Sequence, residues 1–457
     1  MDLPFHSYRL RSKKAAQTRL LNCYAQQTPP EGRSPTLIRG ISGNVPFANV
    51  SSSPQRAAIE FENRLYCVSG SSFNSISSAG QVTSIGSLPV AGDVDIAKIP
   101  GQIAILIEPN LWVYDGSALI AVTDPDFLVR SATRMAVMDN YGAFVEGNSG
   151  RWFICDLADF TVYDPLDFAT AEGSPDNLVS IESNNRQFIL FGEDSTEIWD
   201  NTDASGFPFE RNPNGFVECG CGAARSTTAV DNTIYWIDQD RIARRLEGNI
   251  ARRFSSEGVE EKWQDYATIS DARAFDYVFD GHTFVVFTFP TAGATWVYDI
   301  NTQEWHERES YGQDHWRASW IVKAYDKTLV GDTQSGQIAE LSPTSYSEWG
   351  STLLREATSG AIVDRGRWMQ HDRLELDLDV GNAPLTGQGS SPQIMLDVSD
   401  DGGVTFRARS NRSLGATGKY KSRVHWDRGG RSRERVYRFR VTDPVPFIVM
   451  SSRLDVR

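Results

Sequence analysis

Apolar positions along this chain come in short runs of four to six residues, or alternate with polar ones, and turn residues break them at close intervals. An apolar period of two marks a half-buried strand, and a short unbroken run marks a strand buried on both faces. Two stretches depart from this. "SSEGVEEKWQDY" (255–266) opens with a capping Ser and early acids, and "YSEWGSTLLREA" (346–357) spaces its apolar residues as a helix does. The remainder predicts an all-β protein.

The strands fall into a loose repeat of strand, polar turn, apolar strand, turn, and a strand often ending in aromatic–Asp. Units open near residues 57, 95, 134, 178, 226, 272 and 320, the clearest being "DIAKIPGQIAILIEPNLWVYDGSALIAV". Spacings of about 38 to 48 residues suit four-stranded propeller blades. The repeat predicts a β-propeller of six or seven blades over 56–345. "WVYDINTQEWHE" (296–307) reads like a kelch blade without its double glycine. After 346, "DRLELDLDV" alternates Leu374, Leu376, Leu378 and Val380 against charges. "YRFRVTD" sets Tyr437, Phe439 and Val441 on one face and Arg438 and Arg440 on the other. Residues 346–457 therefore read as a β-sandwich-like domain. Residues 1–55, polar and proline-rich, read as an N-terminal arm with the first strands.

Composition narrows the function classes. With 457 residues, 40% of them hydrophobic, the chain can build several cores. A net charge of −14 argues against a dedicated nucleic-acid binder, which needs a basic surface. Runs such as "IAILI" and "FVVFTF" fall far short of the roughly 20 residues of a membrane helix, and the first residues lack the apolar core of a signal peptide. Five scattered cysteines, Cys23, Cys67, Cys155, Cys219 and Cys221, suggest reduced cytosolic thiols rather than a disulfide framework. No phosphate-cradling loop, GxSxG elbow or CxxC is present. His306 and His315, near Glu304, Glu307 and Asp314, and the pairs Asp124/Asp126 and Asp400/Asp401, lie in turn-like sequence where local hydrogen bonding explains the polarity. The chain predicts no catalytic residue, no metal and no cofactor.

"SDDGGVTF" (399–406) resembles the Asp-box of sialidases: Ser399, Asp401, Gly403, Thr405 and Phe406. Its chemistry is that of a turn. Asp401 accepts amide hydrogen bonds, Gly403 supplies a backbone angle closed to other residues, and Phe406 pins the hairpin to a core. A propeller glycosidase or depolymerase acting on host surface glycans is the alternative such a motif raises, and it would need acids and arginines converging in the propeller's centre. Between 405 and 440, twelve Lys or Arg face only two acids, Asp427 and Glu434. On an acidic chain this basic stripe reads either as a docking surface, with Arg431, Arg433, Arg438 and Arg440 as its candidate contacts, or as a solvated sheet face.

Three segments together resemble the packaged-DNA stabilisation protein of short-tailed phages, also called the tail hub or nozzle. In "SPDNLVSIESNNRQFILFGEDSTEIWDNT" the shared elements are Pro175-Asp176, Ile181, Phe191-Gly192 and Ser195 through Ile198. In "SRVHWDRGGRSRERVYRFRVTDPVP" they are Arg423-Val424, Trp426, Arg428, Gly430, Arg433 and Phe439 through Thr442. "RLLNCYAQQTPPEGRSPTLIRGISG" is similar to the family's opening, with Arg39-Gly40 where Pro-Gly is usual. The resemblance implies a non-enzymatic virion protein of the phage tail, assembled in the host cytoplasm as a homohexameric ring. It would sit below the portal and its adaptor and carry a needle or plug and fibres or spikes. DNA would pass through its channel without sequence-specific binding. An acidic body suits such sliding, because phosphates are repelled from it, and a ring requires two different complementary faces on each subunit. The basic stripe and the acidic propeller loops are one such pair.

Overall fold

The computed structural model describes residues 4, 6–29, 31 and 34–457. Residues 1–3 and 5 of the opening, and Pro30, Gly32 and Arg33 of the family-like N-terminal segment, lie outside the described residues. Seven four-stranded antiparallel sheets form the blades of a β-propeller. Blades 1 to 6 are continuous in sequence, from Gln55–Phe61 through Glu304–Glu307. Blade 7 takes three strands from 318–341 and its outermost strand, Asn44–Asn49, from before blade 1. The innermost strands neighbour one another in a closed circle, Ala318–Ala324 lying beside Gln55–Phe61. The stretch 318–341 therefore holds only three of blade 7's four strands.

Seven hydrophobic clusters lie between successive blades, one per interface. Every blade is therefore buried on both faces, and its second strand can be apolar at consecutive positions. Ile103 through Ile107, Phe188 through Phe191 and Phe284 through Phe287 are each at most 2% exposed. At two tight backbone crossings only glycine fits. A Cβ on Gly43 would stand 1.9 Å from the Ser347 carbonyl oxygen, and one on Gly220 2.1 Å from that of Glu193.

The eighth cluster fills a β-sandwich. One sheet orders Cys23–Gln27, Thr36–Gly40, Ile448–Val456, Met369–Leu378 and Val424–Ser432; the other runs Gln17–Leu21, Arg355–Thr358, Glu434–Val441, Gln393–Ser399 and Arg407–Ala408. Leu374, Leu376, Leu378, Tyr437, Phe439 and Val441 all enter this core. Gln17–Leu21 also meets blade 6 through the parallel pair Leu21 and Glu307, so the second sheet continues into the propeller.

The structure corrects three sequence expectations. Residues 17–49 are no arm: they supply three strands to the sandwich and one to blade 7. The propeller is thus inserted within the sandwich, and Pro46 is accommodated because its strand lies at a sheet edge. The 346–357 stretch is not helical. Trp349 and Gly350 take positive φ of 52° and 73°, turning the chain between Ser347–Glu348 and Ser351–Thr352. The other stretch is a helix, Glu257–Gln264, but the side chain of Ser256 makes no capping bond. Ser255 instead donates to Glu260 at 2.5 Å.

Candidate functional site

The Asp-box is a closed hydrogen-bonded turn. Asp401 accepts from the amides of Val404 (3.0 Å) and Thr405 (2.9 Å), and from the hydroxyls of Ser399 (2.6 Å) and Thr405 (2.5 Å). These donors hold its carboxyl well below the usual range. Gly403 has φ of 84° and donates its amide to Ser399. Phe406 does not enter the core: it is half-buried at the surface, with the Arg438 guanidinium 3.9 Å above its ring. Asp400 is held by the fully buried Arg435 at 2.6 Å.

Arg438 and Arg440 do not point freely outward. Both close on Asp397, at 2.9 and 2.7 Å, and that carboxylate is 4% exposed. Asp397 lies directly opposite Arg438 in the antiparallel register, and Arg440 faces Glu356 on the other flank. The row of charges continues into the propeller. Arg19 joins Glu356 (3.7 Å), Glu309 and Glu307 (2.9 Å), and Arg9 joins Glu307 (2.5 Å). Burial and the two arginines act oppositely on Glu307, and the arginines prevail, leaving its carboxyl lowered. This ladder ties the sandwich to blade 6. Arg431 and Arg433 are different: both are exposed, neither has a carboxylate partner among the described residues, and Arg433 stacks 5.1 Å over Trp368. The stripe therefore divides into an internal half and a free half. Sequence alternation found the face but could not show that Asp397 and Glu356 already occupy it.

Near the propeller axis a second cluster appears that sequence spacing could not reveal, since its members come from five different parts of the chain. Arg134 pairs with Asp95 and stands 3.9 Å from Glu182. Arg225 lies 3.3 Å from both Asp93 and Asp95, and Arg273 pairs with Asp93. Burial raises the Glu182 carboxyl, which accepts from the Thr227 hydroxyl at 2.7 Å. Beside it, Arg56, Asp93, Arg273, Phe275 and His315 line a cavity of about 280 Å³. Three guanidinium groups thus meet Asp93 and Asp95 closely and Glu182 at longer range, while Asp276, also raised by burial, accepts from the Thr228 hydroxyl.

The remaining candidates are scattered. His306 is buried and neutral, burial lowering it to about 3, while Glu307 is spent on the arginines. No metal-holding group of His, Cys, Asp or Glu occurs among the described residues. All five thiols are buried, and burial lifts Cys67, Cys155 and Cys219 to about 12. No helix among the described residues is long and apolar enough to cross a membrane.

The residues behind the family likeness serve the fold. Asp176 accepts from the amides of Asp194 and Ser195, each 2.9 Å, and a Cβ on Gly192 would sit 2.3 Å from its carboxylate. Asn22, φ 50°, donates to the carbonyls of Glu309 and Leu354, both 2.8 Å, at the seam between propeller and sandwich. A Cβ on Gly40 would strike the buried Arg355, which donates to the carbonyls of Tyr346 and Ile41.

These arrangements define a class: a seven-bladed β-propeller seated in a β-sandwich, its polar residues engaged chiefly with one another. A family model described as Bacteriophage P22 Gp10, beta-propeller, matches residues 13–346, and one described as Bacteriophage P22 Gp10, beta-sandwich, matches 355–457. The chain belongs to this family of phage stabilisation proteins. No curated protein matches it. Among solved structures it is similar to the computationally designed Ika8 protein (11% identity, 65% of this chain, 99% of that one, TM-score 0.40). It is also similar to the N-terminal domain of Nup159 (11%, 69% and 97%, 0.39) and to the extracellular domain of the B. thetaiotaomicron protein BT4673 (8%, 87% and 58%, 0.43). At these scores the likenesses carry no argument.

Proposed function

We propose that the chain is a structural component of a phage tail that forms a homohexameric ring below the portal-adaptor, extends the DNA channel and retains the packaged genome. The ring would be completed in the host cytoplasm and offer its rim to a needle or plug and to fibres or spikes. The observation that carries this reading is the match of two P22 Gp10 models, in order, to both domains of one chain. The physics agrees with it. Seven blades buried on both faces make a stiff disc whose loops contact neighbours without deforming, and the charge ladder at blade 6 fixes the sandwich on that disc. The test is to assemble particles without this chain. They should fill with DNA and then leak it, and a native mass and an image of the isolated tail should show six copies below the adaptor. Particles that stay filled and infectious without the chain overturn the proposal.

A second reading has one observation in its favour. A propeller glycosidase or depolymerase acting on host surface glycans requires acids and arginines that converge near the axis, and Asp93, Asp95 and Glu182 do converge there with Arg134, Arg225 and Arg273. Against it, Asp93 and Asp95 are held in ion pairs, so neither is free to act as base or nucleophile beside the raised Glu182 carboxyl, and glycoside cleavage needs both roles. Release of reducing sugar from host surface glycan, lost on Asp95→Asn, would favour the enzyme; no release favours the structural reading.

A further inference from the structure

One exposed patch lies on the propeller and another on the sandwich. The first is on blade 3 and the helix leading into it. Leu128, Val129 and Leu166 are 54%, 81% and 77% exposed. Arg130 joins their two segments by donating to the Pro165 carbonyl at 2.9 Å and lying over Phe168. Around these apolar residues stand Asp156, Asp164 and Asp167, none in an ion pair among the described residues. They are close enough to repel one another: after burial, Asp164 and Asp156 are the next causes that raise the Asp167 carboxyl. The second patch is on the sandwich, which is carried by blade 6. There Val363 and Trp368 are 59% and 56% exposed, and Arg365, Arg367, Arg431 and Arg433, with no carboxylate partner among the described residues, outnumber the neighbouring acids Asp364 and Glu434.

Each patch has the anatomy of an interface, an apolar centre within a charged rim, and the two rims are opposite in sign. An acidic apolar surface and a basic aromatic one are mutually complementary, yet both are exposed, so neither covers the other within a single chain. Contact between different patches of identical copies is heterologous, so it propagates head to tail until it closes. We propose that the blade 3 patch of one copy binds the sandwich patch around Trp368 of a second copy of this chain, apolar centre to apolar centre and aspartates to arginines. This deepens the ring reading above and rests on it for the expectation that copies meet head to tail.

The test uses the purified full-length chain and a short bis-maleimide. The native cysteines are all buried and give little background. Leu166→Cys mixed with Trp368→Cys should yield a dimer linked between residues 166 and 368, which neither variant alone forms. The link should fall about tenfold when salt is raised to about 0.5 M, where exposed charges are screened, or when Asp164→Lys and Asp167→Lys are introduced. Adding Asp156→Lys to that lysine variant, with Arg365→Glu, Arg367→Glu, Arg431→Glu and Arg433→Glu, reverses both rims and should restore the link. Absence of the 166–368 product overturns the proposal, as does failure of the double reversal to restore it. So does a basic patch that is shielded by single-stranded DNA instead of by a second copy. An imaged ring in which these patches do not face each other overturns the contact and leaves the ring reading standing. Particles that retain DNA without the chain overturn the ring reading without altering the crosslink.

Discussion

Asp397 shows why a sequence face is not yet a surface. The period of two in "YRFRV" places Tyr437 and Phe439 in the core, as found, and sends Arg438 and Arg440 to the opposite side. What it cannot give is the neighbouring strand, whose Asp397 consumes both guanidinium groups. Arg438→Glu with Arg440→Glu would set four carboxylates together, the two new ones with Asp397 and Glu356, around a nearly closed site. It should therefore destabilise the folded chain itself by about 3–5 kcal/mol, the range for breaking a buried ion pair from one side. Asp397→Asn should cost less, and Arg431→Glu with Arg433→Glu, at exposed positions, under about 0.5 kcal/mol. Denaturant midpoints of the three variants check the order. His371 supplies a pH dependence. Its ring bonds the hydroxyls of Ser432 and Tyr437, both 2.8 Å, and burial, helped by Arg435, lowers it to about 4. An unfolded histidine titrates near 6.5, so the folded state binds the proton more weakly. Stability is complete above about pH 6.5 and is lost as pH falls towards 4. The loss should be about 2 kcal/mol between pH 8 and pH 5, and a urea midpoint that falls in wild type but less in His371→Gln would confirm it.

At the scale of strands and turns, legibility followed burial on both faces. The second strand of each blade announced itself as an apolar run because two inter-blade cores claim its two sides, as for Phe284 through Phe287 between two clusters. Edge strands were hidden. Asn44–Asn49 carries a proline and exposes Val45 and Asn49, so nothing local marks it as the piece that closes blade 7. Nor does spacing alone distinguish Trp349, Leu353 and Leu354 on a helix from the same residues on a turn with positive φ. The closure depends on Gly43, whose missing side chain lets the backbone cross Ser347. Gly43→Ala should cost about 3 kcal/mol, because backbone rather than a movable side chain must yield. Gly360→Ala, with only Thr18 Cγ2 at 3.7 Å and no positive φ, should cost little. Thermal unfolding of the two variants side by side makes the comparison; equal melting temperatures would refute the crossing argument.

For the whole molecule, the insertion of the propeller within the sandwich changes what counts as a domain. Residues 346–457 lack Gln17–Leu21, Cys23–Gln27 and Thr36–Gly40, hence one edge of each sheet and the core positions of Leu20, Cys23 and Ile38. Expressed alone, 346–457 should lack dispersed methyl resonances and a cooperative melt, and a peptide spanning 13–43 added in trans should restore both. The fragment 44–345 contains all seven blades and should melt cooperatively, whereas 55–345, without the closing strand, should be markedly less stable. A well-folded 346–457 by itself would show that the two sheets close without their N-terminal strands. The axial ion cluster belongs to this scale as well: it was invisible in the sequence because only the ring brings Asp95, Arg134, Glu182, Arg225 and Arg273 together.

The same insertion has a mechanical meaning. Ile38 and Arg39 are hydrogen-bonded in register with Val449 and Ile448, so the chain on its way into the propeller is fastened to the chain near residue 450. Tension applied between the segments outside that clasp is carried across the sandwich and reaches the propeller through one seam, the Leu21 and Glu307 pair with its charge ladder at blade 6. The 44–341 loop hangs from the load path like a bead on a tied-off thread, fastened at that seam while the sandwich strains. Under a pulling force the blade 6 seam and the clasp yield first, and the other six blades keep their shape until the clasp has opened.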